Sequence, residues 1–316
     1  MKLATAVELN KYPFELKYCD PSLWIGSCFA AEIGNIMKSL RFDCCVNPFG
    51  PLYNPVSISN GLRMLINRVQ LSADDLFPAN GLYNSFAFHS SFSRRDTNES
   101  LSIMNESLKS AAEILLHSKF LFITFGSAYI FEHQQNKIIA GNCHKLPSSE
   151  FVRRRLSVKE IVEEYNILFD ELLTINSELK IVLSVSPIRH LADGAHGNAL
   201  SKSILLLAAD EIIRADEKRR FYFPAYEILL DELRDYRFYA ADMCHPSDTA
   251  RDYIFERFSS ALISTEAISV MNEVSKFNKA RNHRPLHADG DEYADFVKHI
   301  DKLEKDLVYR FPFLKQ

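Results

Sequence analysis

Two short stretches of this chain hold the residue types that acyl chemistry needs. Gly26–Ser27–Cys28 sets two potential nucleophiles directly after a glycine, and Asp242–Met243–Cys244–His245 sets an acid three residues before an imidazole. At that spacing the carboxylate can bond one ring nitrogen while the other faces a nucleophile. A hydroxyl or thiol needs such a base, and the base needs a group that orients it. A strand-to-helix turn suits the nucleophile. Glycine permits the sharp bend, and the helix N-terminus favours a thiolate, alkoxide or oxyanion. The ordinary role of an isolated Asp-x-x-His is a solvated or structural pair. For Ser27 the ordinary role is an N-cap, and for Cys28 a small buried thiol. What sets this Asp-x-x-His apart is its position just before a long helical stretch that Ser247 is suited to cap.

The elements that must position these groups are legible as alternating strand and helix patterns. Short apolar runs at 23–25, 42–46, 120–125, 181–185 and 221–223 read as strands. Amphipathic spacing between them, as at 29–40, 102–116, 158–173 and 203–215, reads as helices. This alternation predicts an α/β fold, a three-layer α/β/α sandwich on a parallel sheet of about five strands in flavodoxin-like order. In such sheets ligands sit beyond the carboxyl ends of the strands. Three segments should converge there: Gly26–Cys28, Asn47–Gly50 and Gly126–Ser127. Residues 72–100 read as an insertion or long loop. A small hairpin is expected between 129–131 and 137–140, and Arg153–Arg155 reads as a solvated helix face or loop. No linker divides the chain, so residues 1–316 are read as one domain with a helical C-terminal extension over 263–316. Its last helix, expected at 291–308, carries Phe296, Ile300 and Leu303 on one stripe that packs on the domain or forms a homodimer contact.

Composition narrows the function classes. The chain has 316 residues, 47% of them hydrophobic, and a formal net charge of −4. That balance argues against nucleic acid as a partner. No window approaches the ~20 apolar residues of a membrane span, and no signal-peptide pattern opens the chain, so no membrane association and a cytoplasmic location are expected. Six cysteines without scaffold spacing are expected to be reduced thiols.

Six segments carry a family resemblance: IGSCFAAEIG at 25–34, NPFGPLYNP at 47–55, ITFGSAYIFE at 123–132, GNCHKLP at 141–147, SVSPIRH at 184–190 and DMCHPS at 242–247. In this order they resemble the GSCFA family, which is similar to the SGNH (GDSL-like) hydrolases. That likeness implies an esterase or acyltransferase acting on an oxygen ester, with a small-molecule or saccharide ester as substrate and no cofactor. Asp242 and His245 match the terminal Asp-x-x-His and inherit the roles of orienting acid and general base. Gly50 falls where the SGNH pattern places an oxyanion-binding glycine. Gly126 falls where that pattern expects Gly-x-Asn-Asp, but this chain reads Gly126–Ser127–Ala128–Tyr129. The oxyanion asparagine is absent, and Ser127 or Asn142 is the candidate replacement. One such donor is typically worth ~3 kcal/mol of transition-state stabilisation. The nucleophile stays open. Direct register puts Cys28 at the attacking position, while a shift by one restores Ser27, the superfamily's usual serine.

Two further groupings lie outside that pattern. His89, His144, Lys145, Arg189, His190 and Lys202 sit on segments that can reach the same sheet edge and bind an anionic group. Cys143–His144, Cys244–His245 and Cys44–Cys45 hold soft ligands for zinc, but no C-x-x-C spacing accompanies them. The readings that rival an enzyme are therefore a non-catalytic binding protein on a degraded hydrolase fold, motivated by the altered Gly126 segment, and a zinc-binding protein.

Overall fold

The computed structural model describes residues 5–9, 11–282 and 291–315. Its centre is a five-stranded sheet in which every pairing is parallel. The strands are β1 (Ser22–Gly26), β2 (Cys44–Val46), β5 (Phe120–Phe125), β8 (Lys180–Val185) and β9 (Arg220–Tyr222). They lie side by side as β2-β1-β5-β8-β9. Counted among themselves this is the order 2-1-3-4-5, the flavodoxin-like arrangement. Two short antiparallel ribbons stand apart from it, β3 (Phe77–Ala79) with β4 (Leu82–Asn84), and β6 (Tyr129–His133) with β7 (Phe151–Arg155).

The period-2 alternation of each strand sorts its side chains onto two faces. Leu23, Ile25, Leu121, Ile123, Ile181 and Leu183 point to one buried cluster. There they meet α2 (Pro55–Ile66), α3 (Thr97–His117), α4 (Val158–Ile175) and α5 (Gly194–Arg214). Trp24, Phe120, Phe122 and Val182 point to the other cluster. That side is covered by α1 (Cys28–Ser39), the short turn α6 (Ala225–Glu227), α7 (Asp248–Leu262), α8 (Thr265–Asn282) and α9 (Asp291–Arg310). Trp24 stacks on Phe122 at 3.9 Å, and both rings lean on Phe258 of α7 at 5.6 Å. The result is helix, sheet and helix, the three layers expected from the alternation.

Several local expectations shift. β6 pairs along its length with β7 rather than with 137–140. The nearer segment keeps a short antiparallel contact, the Glu132–Ile139 bridge with the His133 N–H on the Ile138 carbonyl and the Ala140 N–H on the Phe131 carbonyl. Arg153–Arg155 therefore lies on a strand, not on a helix or loop. The cause is local: the edge of this ribbon faces water, so long cationic side chains satisfy it without burial. α5 begins at Gly194, well before the expected 203, and its Ser201 and Lys202 are buried. The tail helix runs as expected. Ile300 and Leu307 are buried, and Phe296 and Leu303 pack partly against the same cluster as α1 and α7. Its apolar stripe thus meets the domain itself. Among the described residues, no helix is long and apolar enough to cross a membrane.

Candidate active site

The β1–α1 turn is where the backbone becomes special. Gly26 has φ +140°, and a Cβ there would lie 2.2 Å from the carbonyl oxygen of Thr124 on β5. Only glycine lets β1 stay paired while the chain swings into α1. Asn47 pins that turn from the neighbouring strand end. Its Oδ1 accepts the Gly26 N–H at 2.8 Å, and its Nδ2 donates to the Ser27 carbonyl at 3.4 Å. Asn47 is itself buried with φ 44°, a conformation asparagine tolerates. It positions the turn and does not line the cleft described below.

Ser27 and Cys28 then diverge. Ser27 is 1% exposed, and its Oγ has no hydrogen-bond partner among the described residues. It occupies the N-cap position, yet its hydroxyl makes no cap bond. Its Cβ abuts Gly126 at 3.3 Å from where a Cβ would stand on that glycine. Cys28 instead lines an open cleft of about 840 Å³ beyond the carboxyl ends of the strands. Its Sγ lies 3.0 Å from the Tyr53 hydroxyl. Burial, and then the bond to Cys28, holds the Tyr53 phenol well above its ordinary value, so Tyr53 stays protonated beside the sulfur. With no side-chain cap, the first N–H groups of α1 remain without intrahelical acceptors beside Cys28.

The same cleft is lined by Asp242 and His245. Met243, at φ 58°, folds this segment into a tight turn. Asp242 Oδ1 accepts the backbone N–H groups of Cys244 and His245 at 2.9 Å, and Oδ2 lies 2.6 Å from His245 Nδ1. The His245 N–H, the Cys244 N–H and then the imidazole hold the Asp242 carboxyl down to about 2. Asp242 therefore stays ionised at any pH near neutrality. Its bond to Nδ1 leaves Nε2 of His245 without a partner among the described residues. One turn along α1 from Cys28, Glu32 carries a buried Oε2 with no partner among the described residues, and burial raises its pKa against the opposing pull of the nearby His245 charge.

The oxyanion candidates separate in the same way. The Gly50 N–H donates to the Asn47 carbonyl at 2.7 Å, and Gly50 packs against His89 outside the cleft. The N–H groups of Gly126 and Ser127 both donate to the Tyr53 carbonyl, at 2.8 and 2.9 Å. These backbone donors are committed to holding the loops together. Ser127 lines the cleft, but its Oγ accepts the Tyr129 N–H at 3.2 Å and lies 3.4 Å from Ser201 Oγ. Asn142 also lines the cleft, and its Oδ1 accepts the His144 N–H at 2.8 Å. That bond turns the amide so that its NH₂ is free to donate.

The six polar residues expected to gather at this edge divide. Arg189 and His190 line the cleft, and Lys202 is buried directly behind it. His144 turns away, with φ 50° and Nε2 2.8 Å from the Ser85 carbonyl. His89 bonds its own loop at Ser91, and Lys145 does not line the cleft. Cys143 and Cys244 do line it, but among the described residues no three His, Cys, Asp or Glu side chains stand close enough to hold a metal. All six cysteines are free.

A model of the GSCFA family matches residues 22–258, three quarters of the chain. The chain belongs to the GSCFA family. No curated protein matches it. The cleft residues Cys28, Tyr53, Ser127, Asn142, Arg189, His190, Asp242 and His245 all fall inside the GSCFA match. Two residues close to the Cys28 end of α1 were not singled out in the sequence. Tyr53 and Glu32 sit inside motifs without a spacing that marks them. Lys202 is buried on α5, where its Nζ donates to the Gly126 and Ser186 carbonyls at 2.6 and 2.7 Å. It thereby ties the ends of β5 and β8 together. Burial pushes the Lys202 ammonium down to about 7, and burial followed by the Lys202 charge pushes His190 down to about 4.

The Lys202 shift has a testable sign. Its unfolded value is near 10.5, so between pH 7 and that value the unfolded chain binds the extra proton. Stability of the wild type should therefore rise with pH across this window, by up to about 1.4 kcal/mol per pH unit. Lys202→Met should lack that rise. Urea midpoints measured at pH 7 and pH 9 for both proteins check it; parallel pH dependence in the two contradicts it.

Proposed function

We propose that this protein hydrolyses or transfers an acyl group on an oxygen ester, with Cys28 as nucleophile, His245 as general base and acid, and Asp242 as the group that orients it. The observation that carries the proposal is that Cys28 and the Asp242-held His245 share one cleft at the uncapped N-terminus of α1. His245 Nε2 takes the thiol proton, directly or through a water, and Cys28 Sγ attacks the acyl carbonyl. The tetrahedral intermediate collapses to a thioester, and His245 returns the proton to the departing alkoxide. Water or an acceptor alcohol then attacks the thioester, gives its proton to His245 and releases Cys28. Asp242 stabilises the imidazolium in both halves. The Cys28 N–H and the Asn142 amide are the donors suited to the oxyanion. The Tyr53 hydroxyl is placed to donate to the Cys28 sulfur as negative charge develops on it.

In this reading the chain is an SGNH-type enzyme that needs no cofactor and acts on a small-molecule or saccharide ester in the cytoplasm. The test is acyl trapping. Incubated with p-nitrophenyl acetate and quenched in acid, the native protein should gain one acetyl group, on the peptide that contains Cys28. One specific observation favours the rival reading of a binding protein: the N–H groups of Gly50, Gly126 and Ser127 are all committed elsewhere. Under that reading no acyl adduct forms with any ester, and iodoacetamide labels Cys28 equally in native and denatured protein.

A further inference from the structure

The charges that line the cleft balance in pairs, with one exception. Arg153 is paired with Asp193, and its guanidinium lies 3.8 Å above the Tyr129 ring. Asp242 is held by His245 and by two backbone N–H groups. Lys202 is turned away from the cleft onto two carbonyls. Arg189 is left. Its backbone N–H is anchored to the Cys244 carbonyl at 3.1 Å, which fixes it beside the Asp242–His245 turn. Its guanidinium has no carboxylate and no hydrogen-bond acceptor among the described residues, although Nε is shut off from water. Tyr226 and Tyr239 stand near it and bring no charge at neutral pH. A guanidinium that is partly desolvated and unpaired leaves strong donors unmade, and a planar anion answers them with two parallel bonds.

We propose that Arg189 is a specificity residue that binds an anionic group, a carboxylate or phosphate, on the acyl substrate. This rests on the acyl-transfer reading of the same cleft. Neutral esters of the same size leave the guanidinium unsatisfied and bind less well. An anion seated there is held on the side of the cleft shared with His245, with its carbonyl toward Cys28.

Two arms test it. In the first, Cys28 is alkylated with iodoacetate or with iodoacetamide, reagents that differ only in charge, and the Cys28 peptide is followed by mass. Relative to the same ratio for glutathione, Cys28 should favour iodoacetate by about tenfold or more, the scale of a charge-assisted hydrogen bond. Arg189→Met should erase that preference and Arg189→Lys should keep part of it. A wild-type ratio no higher than that of glutathione, or one unchanged in Arg189→Met, overturns the proposal. So does failure of either reagent to label Cys28. In the second arm, p-nitrophenyl hemisuccinate is compared with p-nitrophenyl butyrate. The wild type should favour the anionic ester in kcat/KM, and in Arg189→Met the ratio of the two kcat/KM values should fall to near one. Hydrolysis of both esters without preference overturns the anion site and leaves the esterase reading standing. Charge-selective alkylation without hydrolysis of either ester does the reverse.

Discussion

Cys28→Ala should abolish ester turnover, and Ser27→Ala should leave it within a few-fold of wild type. Loss of a nucleophile in a triad costs on the order of 10³-fold or more in kcat, because the base then has nothing to activate. Ser27 adjoins Cys28, but its side chain points away from the cleft. Its side chain is buried against Gly126, and its Oγ has no partner among the described residues and does not line the cleft. Removing an unbonded buried hydroxyl is close to neutral for stability. Cys28→Ser is the finer probe. It keeps the size and the Tyr53 contact but replaces a thiolate with a poorly ionised hydroxyl, so it should also fall by orders of magnitude. Steady-state rates on p-nitrophenyl acetate, with iodoacetamide mapping of Cys28, give the answer. Full activity in Cys28→Ala would remove this turn's thiol from the mechanism, and loss in Ser27→Ala alone would return the role to the serine.

His245→Ala should fall as far as Cys28→Ala, and Asp242→Asn on the order of 10²–10⁴-fold. The carboxylate accepts three hydrogen bonds, two from backbone and one from His245 Nδ1. An asparagine can offer its NH₂ to that nitrogen, which selects the wrong tautomer and turns Nε2 into a donor. The pH profile separates this from misfolding. Asp242 has its carboxyl held near 2, below its ordinary 3.8. Its contribution to the native state is thus present above the ordinary value and is lost only as pH falls through about 2. Between pH 5 and 9 Asp242 does not change charge, so any acid limb of kcat/KM in the wild type belongs to other groups. In Asp242→Asn that limb should move, while circular dichroism and the urea midpoint at pH 7 stay close to wild type. A variant that is inactive because it is unfolded would show the opposite pair of results.

Much of the architecture was readable along the chain. Runs such as 120–125 and 181–185 are almost wholly apolar because they are buried on both faces, and that signal is local. The terminal helix announced itself through a stripe that depends only on helical periodicity. The β6–β7 ribbon was misassigned for the opposite reason. Its pairing joins residues 129–133 to 151–155 across a loop, and no local pattern states which segment a strand will choose. The early start of α5 was missed because Gly194 and Gly197 weaken helix propensity, whereas tertiary packing of Ser201, Lys202 and Leu205 outweighs it.

The site divides along the same line. Residue types and spacing by themselves determined the family, the parallel sheet and the Asp242–His245 pair, since an i, i+3 contact within one turn needs no distant partner. They also singled out Ser27 and Cys28 as the candidate nucleophiles, but not which of the two side chains enters the cleft. That choice follows from the φ of +140° at Gly26 and from Asn47 gripping the turn from another strand, which together send one side chain inward and its neighbour into the cleft. Tertiary structure likewise decided that the Gly50 N–H is committed to Asn47, that His144 faces Ser85, and that Tyr53, Asn142 and Arg189 line the same cleft as Cys28. Those residues lie far apart in the chain, and only the parallel sheet, which gathers the loops after successive strands at one edge, brings them within reach of one another.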